Sequence, residues 1–460
     1  MIMSAILKVS KMTKVYKPMF SDVAYGVFAR LLSFRRSPSV ASVAGLPKRK
    51  GIVTSAMQNQ RDLYSYYCSI WNSLSPATKL IFENNAPNTF TGFNCFLQIY
   101  LASGWPVDWL AGYSKRVRIV VDHTKIDSSL THFPLVINLS AASGSWSMPM
   151  TEIFTDLQNN YLKLAVTKND GLSQLYVEIA PTEWDFANNK GLLYVSKSDF
   201  IISSLAGTVL YLYWDSAIAD NSDYVAVCGS RHEVWNANIK AFLGCSQDPS
   251  GGAPQILDST SNHHHGTSVG TMLSADLVNG KIGKALDFDG SNDGIYTAAA
   301  PITAYPFTLQ AIGKFVVIDN YPNLVCLCKS SVNTGYVFIS CQTTFGRGGV
   351  VNVSTAQITG SDVYALNDYI LLSLVCTSAT DRKLYINGVL AGSDVTNLAL
   401  PATLNNLSIG YTKRSSPIYQ AGIIGKVSVF NIALSSAWVK AFYYSFFDNL
   451  NVFGYVENAV

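Results

Sequence analysis

Lys383-Leu384-Tyr385-Ile386-Asn387-Gly388-Val389-Leu390-Ala391-Gly392 is the stretch from which the fold is read. Asn-Gly between two apolar runs signals a two-residue hairpin, because both turn positions need φ > 0 and few residues other than Gly and Asn adopt it. Outward from this hairpin lie further apolar runs of strand length at 285–289, 307–317, 337–341, 369–376 and 407–410, all after the turn-rich stretch 247–252. Downstream, Ser435 reads as the cap of a short helix whose Val439, Phe442, Tyr443 and Phe446 would pack on those strands.

A second set of strands precedes the first. Val117, Ile119 and Val121 alternate with Arg116 and Arg118, which predicts one buried and one wet face. The runs 135–139, 175–179, 192–195 and 209–214 continue the pattern between Asn, Asp, Gly and Ser turns. Strands this frequent, with no helices between them, predict an antiparallel sandwich and not an α/β fold. Helical spacing occurs upstream, where Leu63, Tyr67, Ile70, Trp71 and Leu74 share one face. Ser75-Pro76 opens a second helix, and Thr91 caps a third that carries Phe93, Phe96, Leu97, Tyr100 and Leu101. A linker is expected at 104–108.

Of the 460 residues, 48% are hydrophobic and 14% charged, so there is ample apolar surface to offset the entropy of ordering, which excludes a disordered chain. That length asks for two or three domains. The net charge of +3 hides an asymmetry: ten of the 33 Lys and Arg, with Asp22 as the one acid, fall in residues 1–60. A basic arm of this kind suits docking on an acidic protein surface, with nucleic acid as a second choice and a solvated tail as the plain alternative. MIMSAILKVSKMTKVYK has no apolar core of signal-peptide length, and no run approaches the ~20 apolar residues of a membrane helix, so neither standard secretion nor a membrane span is expected. Eight Cys without a spacing ladder make no disulfide framework. Cys326 and Cys328 are expected to share one strand face as buried free thiols.

Four pieces in order carry a family resemblance. They are Asp258-Ser-Thr-Ser-Asn262 leading to His265-Gly266-Thr267; Asn279-Gly280-Lys281-Ile282-Gly283-Lys284-Ala285-Leu286-Asp287-Phe288-Asp289-Gly290-Ser291-Asn292-Asp293; Lys383 to Gly388; and Gly425-Lys426-Val427-Ser428-Val429-Phe430-Asn431-Ile432-Ala433-Leu434-Ser435. They resemble the laminin-G/concanavalin A-like jelly rolls, which implies two sheets with a carbohydrate- or protein-binding concave face or rim. Trp109-Leu110, Tyr113, the run Val121 to Asp127, Phe133-Pro134-Leu135 and Glu233-Val234-Trp235 resemble a β-domain family of unknown function that sits upstream of such jelly rolls. Gln60-Arg61, Trp71-Asn72-Ser73-Leu74-Ser75 and Thr91-Gly92-Phe93-Asn94-Cys95-Phe96 resemble the N-terminal segment of phage structural proteins, with Phe82 where that segment has a second Trp. The expected layout is therefore mainly β: a basic extended arm (1–58), a short-helix anchor (59–104), a β-sandwich (109–246) and a jelly roll (250–460).

Chemistry-bearing residues are sparse. A retaining jelly-roll glycanase needs two carboxylates ~5–5.5 Å apart across the sugar. No Glu-x-Asp-x-x-Glu occurs, so no catalytic residues are assigned; a Ser/His/Asp triad is left open, with no Gly-x-Ser-x-Gly elbow expected. Asp258, Asp287, Asp289 and Asp293 offer the hard oxygens Ca²⁺ prefers, set against the turn-closing role of Asp; no cofactor is required. His263-His264-His265 is read as a loop triplet, since adjacent side chains rarely converge on a metal. Tyr305, Tyr321, Tyr411 and Tyr419 lie in turn-rich segments where exposed rings would stack on sugars, with core packing as the alternative. Arg35, Arg36, Lys48, Arg49, Lys50, Trp71, Phe93 and Phe96 are the expected anchor. Together these predict a non-enzymatic, homo-oligomeric virion protein (capsid decoration, head fibre or tail-fibre-like), assembled in the host cytoplasm. It would meet other virion proteins through its N-terminus and surface glycans through its jelly roll. A cell-surface or exported carbohydrate-binding adhesin is the alternative, and a glycan-active enzyme the third reading.

Overall fold

The computed structural model describes residues 55–460 except 88–89, 102–107, 228–231, 316–322, 343–344, 353–354, 364–366 and 460, together with four strands among the first 54 residues. The chain divides into two compact units, Met1–Val107 and Asp108–Val460.

In the first unit the strands Ala5–Val9, Lys11–Val15, Leu32–Arg36 and Ala41–Gly45 pair into one sheet, where an extended arm was expected. Each of these segments is short enough to pair its backbone with a neighbour in sequence, which competes with an open arm. Arg35 and Arg36 fall on the third strand, and Lys48, Arg49 and Lys50 lie outside the described residues. Three helices follow, Ser55–Ser73, Pro76–Asn84 and Gly92–Leu101. The Ser75 hydroxyl accepts the Thr78 N–H (3.1 Å) one residue before Pro76, as a cap should. The Trp71 ring centroid lies 5.9, 5.6 and 5.4 Å from those of Phe82, Phe93 and Phe96. Phe82 and Phe96 are fully buried. Phe96 is thus spent on the helices' own core and offers nothing to a partner, which corrects its expected place in the anchor.

The second unit opens with a nine-stranded sheet. Lys115–Val121 pairs with Thr208–Trp214 on one edge and with the C-terminal strand Asn451–Asn458 on the other. Thr208–Trp214 continues to Leu164–Thr167, and Lys190–Ser196 joins Leu135–Leu139 and Gln174–Ile179. A helix, Thr151–Leu157, interrupts the strands where none was expected; it buries Ile153, Phe154 and Leu157. The alternation of Lys115–Val121 is as read, but its second face is not wet. Arg116 and Arg118 are 1% and 3% exposed. Arg116 donates to Glu457 on the C-terminal strand (2.7 Å) and to the Tyr213 hydroxyl (2.9 Å), with the Trp109 and Tyr211 rings stacked on its guanidinium. Chain from both ends of the unit covers that face, which a local alternation cannot foresee.

Apart from the short pair Leu130–Thr131 with Ile201–Ile202, and Trp184–Asp185 and Val225–Val227 on the nine-stranded sheet, the remaining strands of this unit form two sheets. The eight-stranded sheet runs Leu277–Asn279, Lys284–Asp289, Ala421–Phe430, Phe307–Phe315, Tyr369–Ser378, Asp381–Ile386, Val389–Asp394, with Ile239–Leu243 also on Ala421–Phe430. The seven-stranded sheet runs Gly266–Val269, Gly294–Thr297, Asn406–Ile409, Asn323–Cys328, Tyr336–Gln342, Phe345–Val351, Thr355–Val363. Between them lies one core that includes Leu286, Phe307, Leu309, Val325, Val337, Ile339, Leu372, Leu407 and Val427. At the hairpin, Asn387 and Gly388 have φ of 50° and 80°, as the two-residue turn demands, and Ile386 pairs with Val389.

The expected boundary near residue 250 is crossed in both directions. Ile239–Leu243, from the upstream side, completes the eight-stranded sheet and contributes Ala241 and Leu243 to its core, while Asn451–Asn458 returns to the nine-stranded sheet. The helix Ser436–Phe446 seals the join. Ser435 caps it, Phe442 packs on Phe133 (4.8 Å between centroids) and Phe430 (5.8 Å), and the Ser445 hydroxyl accepts the Val136 N–H (3.1 Å).

Just past this helix, Asp448 has φ of 54° and accepts N–H groups of Asn138 (2.8 Å) and Gly144 (3.0 Å) with one oxygen. Burial pushes its carboxyl up to about 6, against those hydrogen bonds and the Lys281 charge. The folded value lies above the unfolded one, so this group's contribution is full below pH ~4 and is lost as pH rises through about 6. Asp448→Asn keeps the acceptor and tolerates the left-handed backbone. It should stabilise the protein by roughly 2–3 kcal/mol at pH 8 and by nothing near pH 4, read from urea titrations at both values.

Candidate functional site

The outer face of the seven-stranded sheet is built by register. One row runs across it through Thr267, Tyr296, Ser408, Cys326, Phe338, Gly349 and Gln357. The alternate residues Ile295, Ile409, Val325, Val337 and Ile339 enter the core, so this row faces away from it. Cys326, Cys328 and Phe338 form a small apolar floor on this face, with Tyr336 and Val351 against it. The two thiols lie side by side and fully buried, as their spacing predicts. Burial raises the Cys326 thiol well above its ordinary value, so it stays protonated.

A hairpin from Gly410 to Gln420 folds over the floor, closed by the Tyr411–Tyr419 bridge and the Thr412 N–H bond to Ile418 (2.9 Å). The Tyr411 and Tyr419 rings stack at 5.6 Å and 11°. Asn333 pins the tip: its Oδ1 accepts from the Ser415 hydroxyl (2.8 Å) and the Ser416 N–H (2.7 Å), and its carbonyl accepts from Arg414 (3.1 Å). Lys413 lies over the Tyr296 ring and Arg414 over Tyr336 (5.3 Å), each a cation held on an aromatic face. What reaches the surface is partly exposed Tyr296, Tyr336 and Tyr419, the two cations, and exposed Ser415, Ser416 and Pro417. The seven strands carry one carboxylate in their sequence, Asp362 on the edge strand.

Residues 289–440 match the profile of the concanavalin A-like lectin/glucanases superfamily. This part of the chain is a concanavalin A-like lectin/glucanase domain. Among solved structures, the chain is similar to domain 4 of AbnA, a GH43 extracellular arabinanase from Geobacillus stearothermophilus, in complex with arabinotriose (18% identity, 44% of this chain, 97% of that one, TM-score 0.36). It is also similar to the binding domain of Paraclostridial Mosquitocidal Protein 1 (16%, 45% and 52%, 0.35) and to botulinum neurotoxin type C in work on its cell entry with two ganglioside molecules (13%, 45% and 51%, 0.35). The matches span about half the length of those two toxin chains. No curated protein matches the sequence.

Of the four tyrosines expected in the lectin-like domain's site, Tyr411 and Tyr419 come together there. Tyr411 is 3% exposed, so Tyr419 alone of the pair keeps a surface, and Tyr411 is a packing residue. Tyr305 is elsewhere: its hydroxyl donates to Leu398 O (3.0 Å), accepts from Arg382 (3.3 Å), and its ring stacks on Phe307. Tyr321 lies outside the described residues. Tyr296 and Tyr336 escaped the sequence reading because strand residues in an apolar run look like core; only register shows which face they take.

The four aspartates are not gathered into one site. Asp258 is fully buried and its two oxygens accept from the N–H groups of Phe242, Thr260 and His264 and the Thr260 hydroxyl, at 2.8–3.0 Å. Asp289 closes its turn by accepting from the N–H groups of Ser291 (2.7 Å), Asn292 (3.1 Å) and Asp293 (3.3 Å). Burial raises the carboxyls of Asp287 and Asp293. Among the described residues no three His, Cys, Asp or Glu side chains group as a cation site, so the calcium expectation has no cage to rest on. His265 Nδ1 accepts the Asp258 N–H (2.9 Å), which places the His triplet in the same loop tie. Gly266-Thr267-Ser268-Val269-Gly270 does have Gly-x-Ser-x-Gly spacing, but Ser268 sits in an edge strand and its hydroxyl donates to Pro249 O (2.7 Å). A nucleophile elbow needs a strand-to-helix turn, which is not found there. Among the described residues no helix is long and apolar enough to cross a membrane.

Gly294 holds the hairpin in place by lacking a side chain. A Cβ there would lie 2.2 Å from Tyr411 Cδ1. Gly294→Val should displace the Tyr411 ring, lower stability by about 2 kcal/mol in denaturant titrations, and raise the reactivity of Cys326 and Cys328 towards thiol reagents.

Proposed function

We propose that this is a non-enzymatic display protein whose lectin-like domain binds glycans on the outer face of the seven-stranded sheet. The observation that carries the reading is the cluster of partly exposed Tyr296, Tyr336 and Tyr419 beside Lys413 and Arg414. Aromatic faces stack on the apolar faces of sugars, and the neighbouring polar tips take hydroxyls. The superfamily match at 289–440 supports it. A glycan-active enzyme is disfavoured, because a hydrolase needs two facing carboxylates and these seven strands hold one, Asp362. A glycan array probed with the full chain should give binding that Tyr419→Ala weakens about 10-fold, with the circular dichroism spectrum of the variant unchanged. An array without any binding would remove the reading.

The display context we propose is a virion, with Met1–Val107 as the attachment element and a cell-surface adhesin as the alternative. The division into two compact units and the basic balance of residues 1–60 support an attachment role. Deleting residues 1–107 should abolish incorporation into particles and leave a folded remainder; a truncated chain that still assembles would end this reading.

A further inference from the structure

The charge on the candidate face is one-sided. Among the described residues, neither Lys413 nor Arg414 has a carboxylate within ion-pair distance; the ion pairs of this unit lie elsewhere. The row Thr267, Tyr296, Ser408, Cys326, Phe338, Gly349 and Gln357 is neutral throughout, and the hairpin 410–420 contains no acid. Lys413 is partly buried over Tyr296, and that burial lowers the pKa of its ammonium. A pair of cations without a carboxylate beside them leaves its charge to be met by a ligand that brings the anion. Arg414 is pre-positioned by its bonds to Ser416 O (3.0 Å) and Asn333 O (3.1 Å), so little side-chain freedom is lost when a ligand arrives.

We infer that the ligand of this face is an acidic glycan, its carboxylate or sulfate held by Lys413 and Arg414 and its sugar ring set against Tyr419. The inference rests on the glycan-binding reading above and narrows it to anionic sugars. Carboxylated and sulfated sugars share the needed chemistry, and the test separates them.

The full chain is titrated with polygalacturonate (carboxylated), heparin (sulfated) and dextran (neutral) at 50 and 500 mM NaCl, alongside Lys413→Gln and Arg414→Gln. At least one acidic polymer is expected to bind, to weaken 10-fold or more at the higher salt, and to lose a further ~10-fold in each variant, while dextran does not bind. Unchanged melting temperatures in the variants assign the loss to the site. Binding of dextran alone, or of acidic polymers with no loss in either variant, overturns the acidic-ligand inference and leaves the glycan reading standing. Absence of binding by all three, together with a blank glycan array, overturns both.

Discussion

A fragment spanning residues 250–460 is expected to be recovered as an unfolded or aggregated chain, whereas residues 108–460 fold. The sequence suggests the opposite, since the jelly-roll motifs all lie after residue 250. The fragment lacks Ile239–Leu243, which fills one edge of Ala421–Phe430 and supplies Ala241 and Leu243 to the core between the sheets. It also carries Asn451–Asn458, with fully buried Phe453, but not Lys115–Val121 to pair with it. Phe442 loses Phe133, and Phe446 loses Phe242. Each large apolar loss costs about 2–5 kcal/mol, so together they exceed the ~5–15 kcal/mol that holds a typical domain. Circular dichroism, size-exclusion chromatography and limited proteolysis of the two fragments decide it. A soluble monomer of 250–460 with a cooperative melt would show that the exchange of strands is dispensable.

Lys426→Met is expected to be the most damaging single substitution, at about 3–5 kcal/mol. Lys426 and Glu183 form an ion pair that joins the two halves of the unit, with side chains 2% and 0% exposed. The Lys426 ammonium also donates to Gly244 O (3.1 Å) and Lys284 O (3.0 Å), and Glu183 Oε1 accepts the Lys284 N–H (3.3 Å). Removing the lysine alone strands a buried carboxylate and leaves two carbonyls without their donor. Methionine is close in volume and meets the same left-handed backbone (φ 51°), so the loss reports charge and not shape. Adding Glu183→Leu should return most of the stability, because a buried pair replaced by apolar groups is nearly neutral. Chemical denaturation of both variants measures this; a double variant as unstable as the single one would mean that packing and not charge sets the cost.

The two polar surprises of this protein, Arg116 and Lys426, have one origin. In sequence Arg116 reads as an outward-facing charge of a half-wet strand, and nothing local marks Lys426 as buried. Arg116 meets Glu457 from 341 residues away, and Lys426 meets Glu183 from 243 residues away. Periodicity reports which residues share a face of a strand, but not what will lie against that face. The same limit hid Tyr296 and Tyr336, and it made Tyr411 look exposed when the hairpin turns its ring down over Gly294.

Other features depend on few neighbours and were legible at once. The Asn387-Gly388 turn, the Ser75 and Ser435 caps, the shared face of Cys326 and Cys328, and the helix that buries Val439, Phe442 and Phe446 all rest on backbone preferences or residue spacing within about a dozen residues. Local sterics, hydrogen bonding and apolar period are encoded where they act, so the mainly β class and those strands with a clear apolar run or alternation, such as 117–121, 307–315 and 369–376, follow from the sequence by itself. The crossing of the boundary near residue 250, the buried charge pairs and the aromatic–cation face were decided by tertiary structure alone. Each needs segments far apart in the chain to meet, and the free energy that brings them together is burial against a surface that exists only once the sheets have formed.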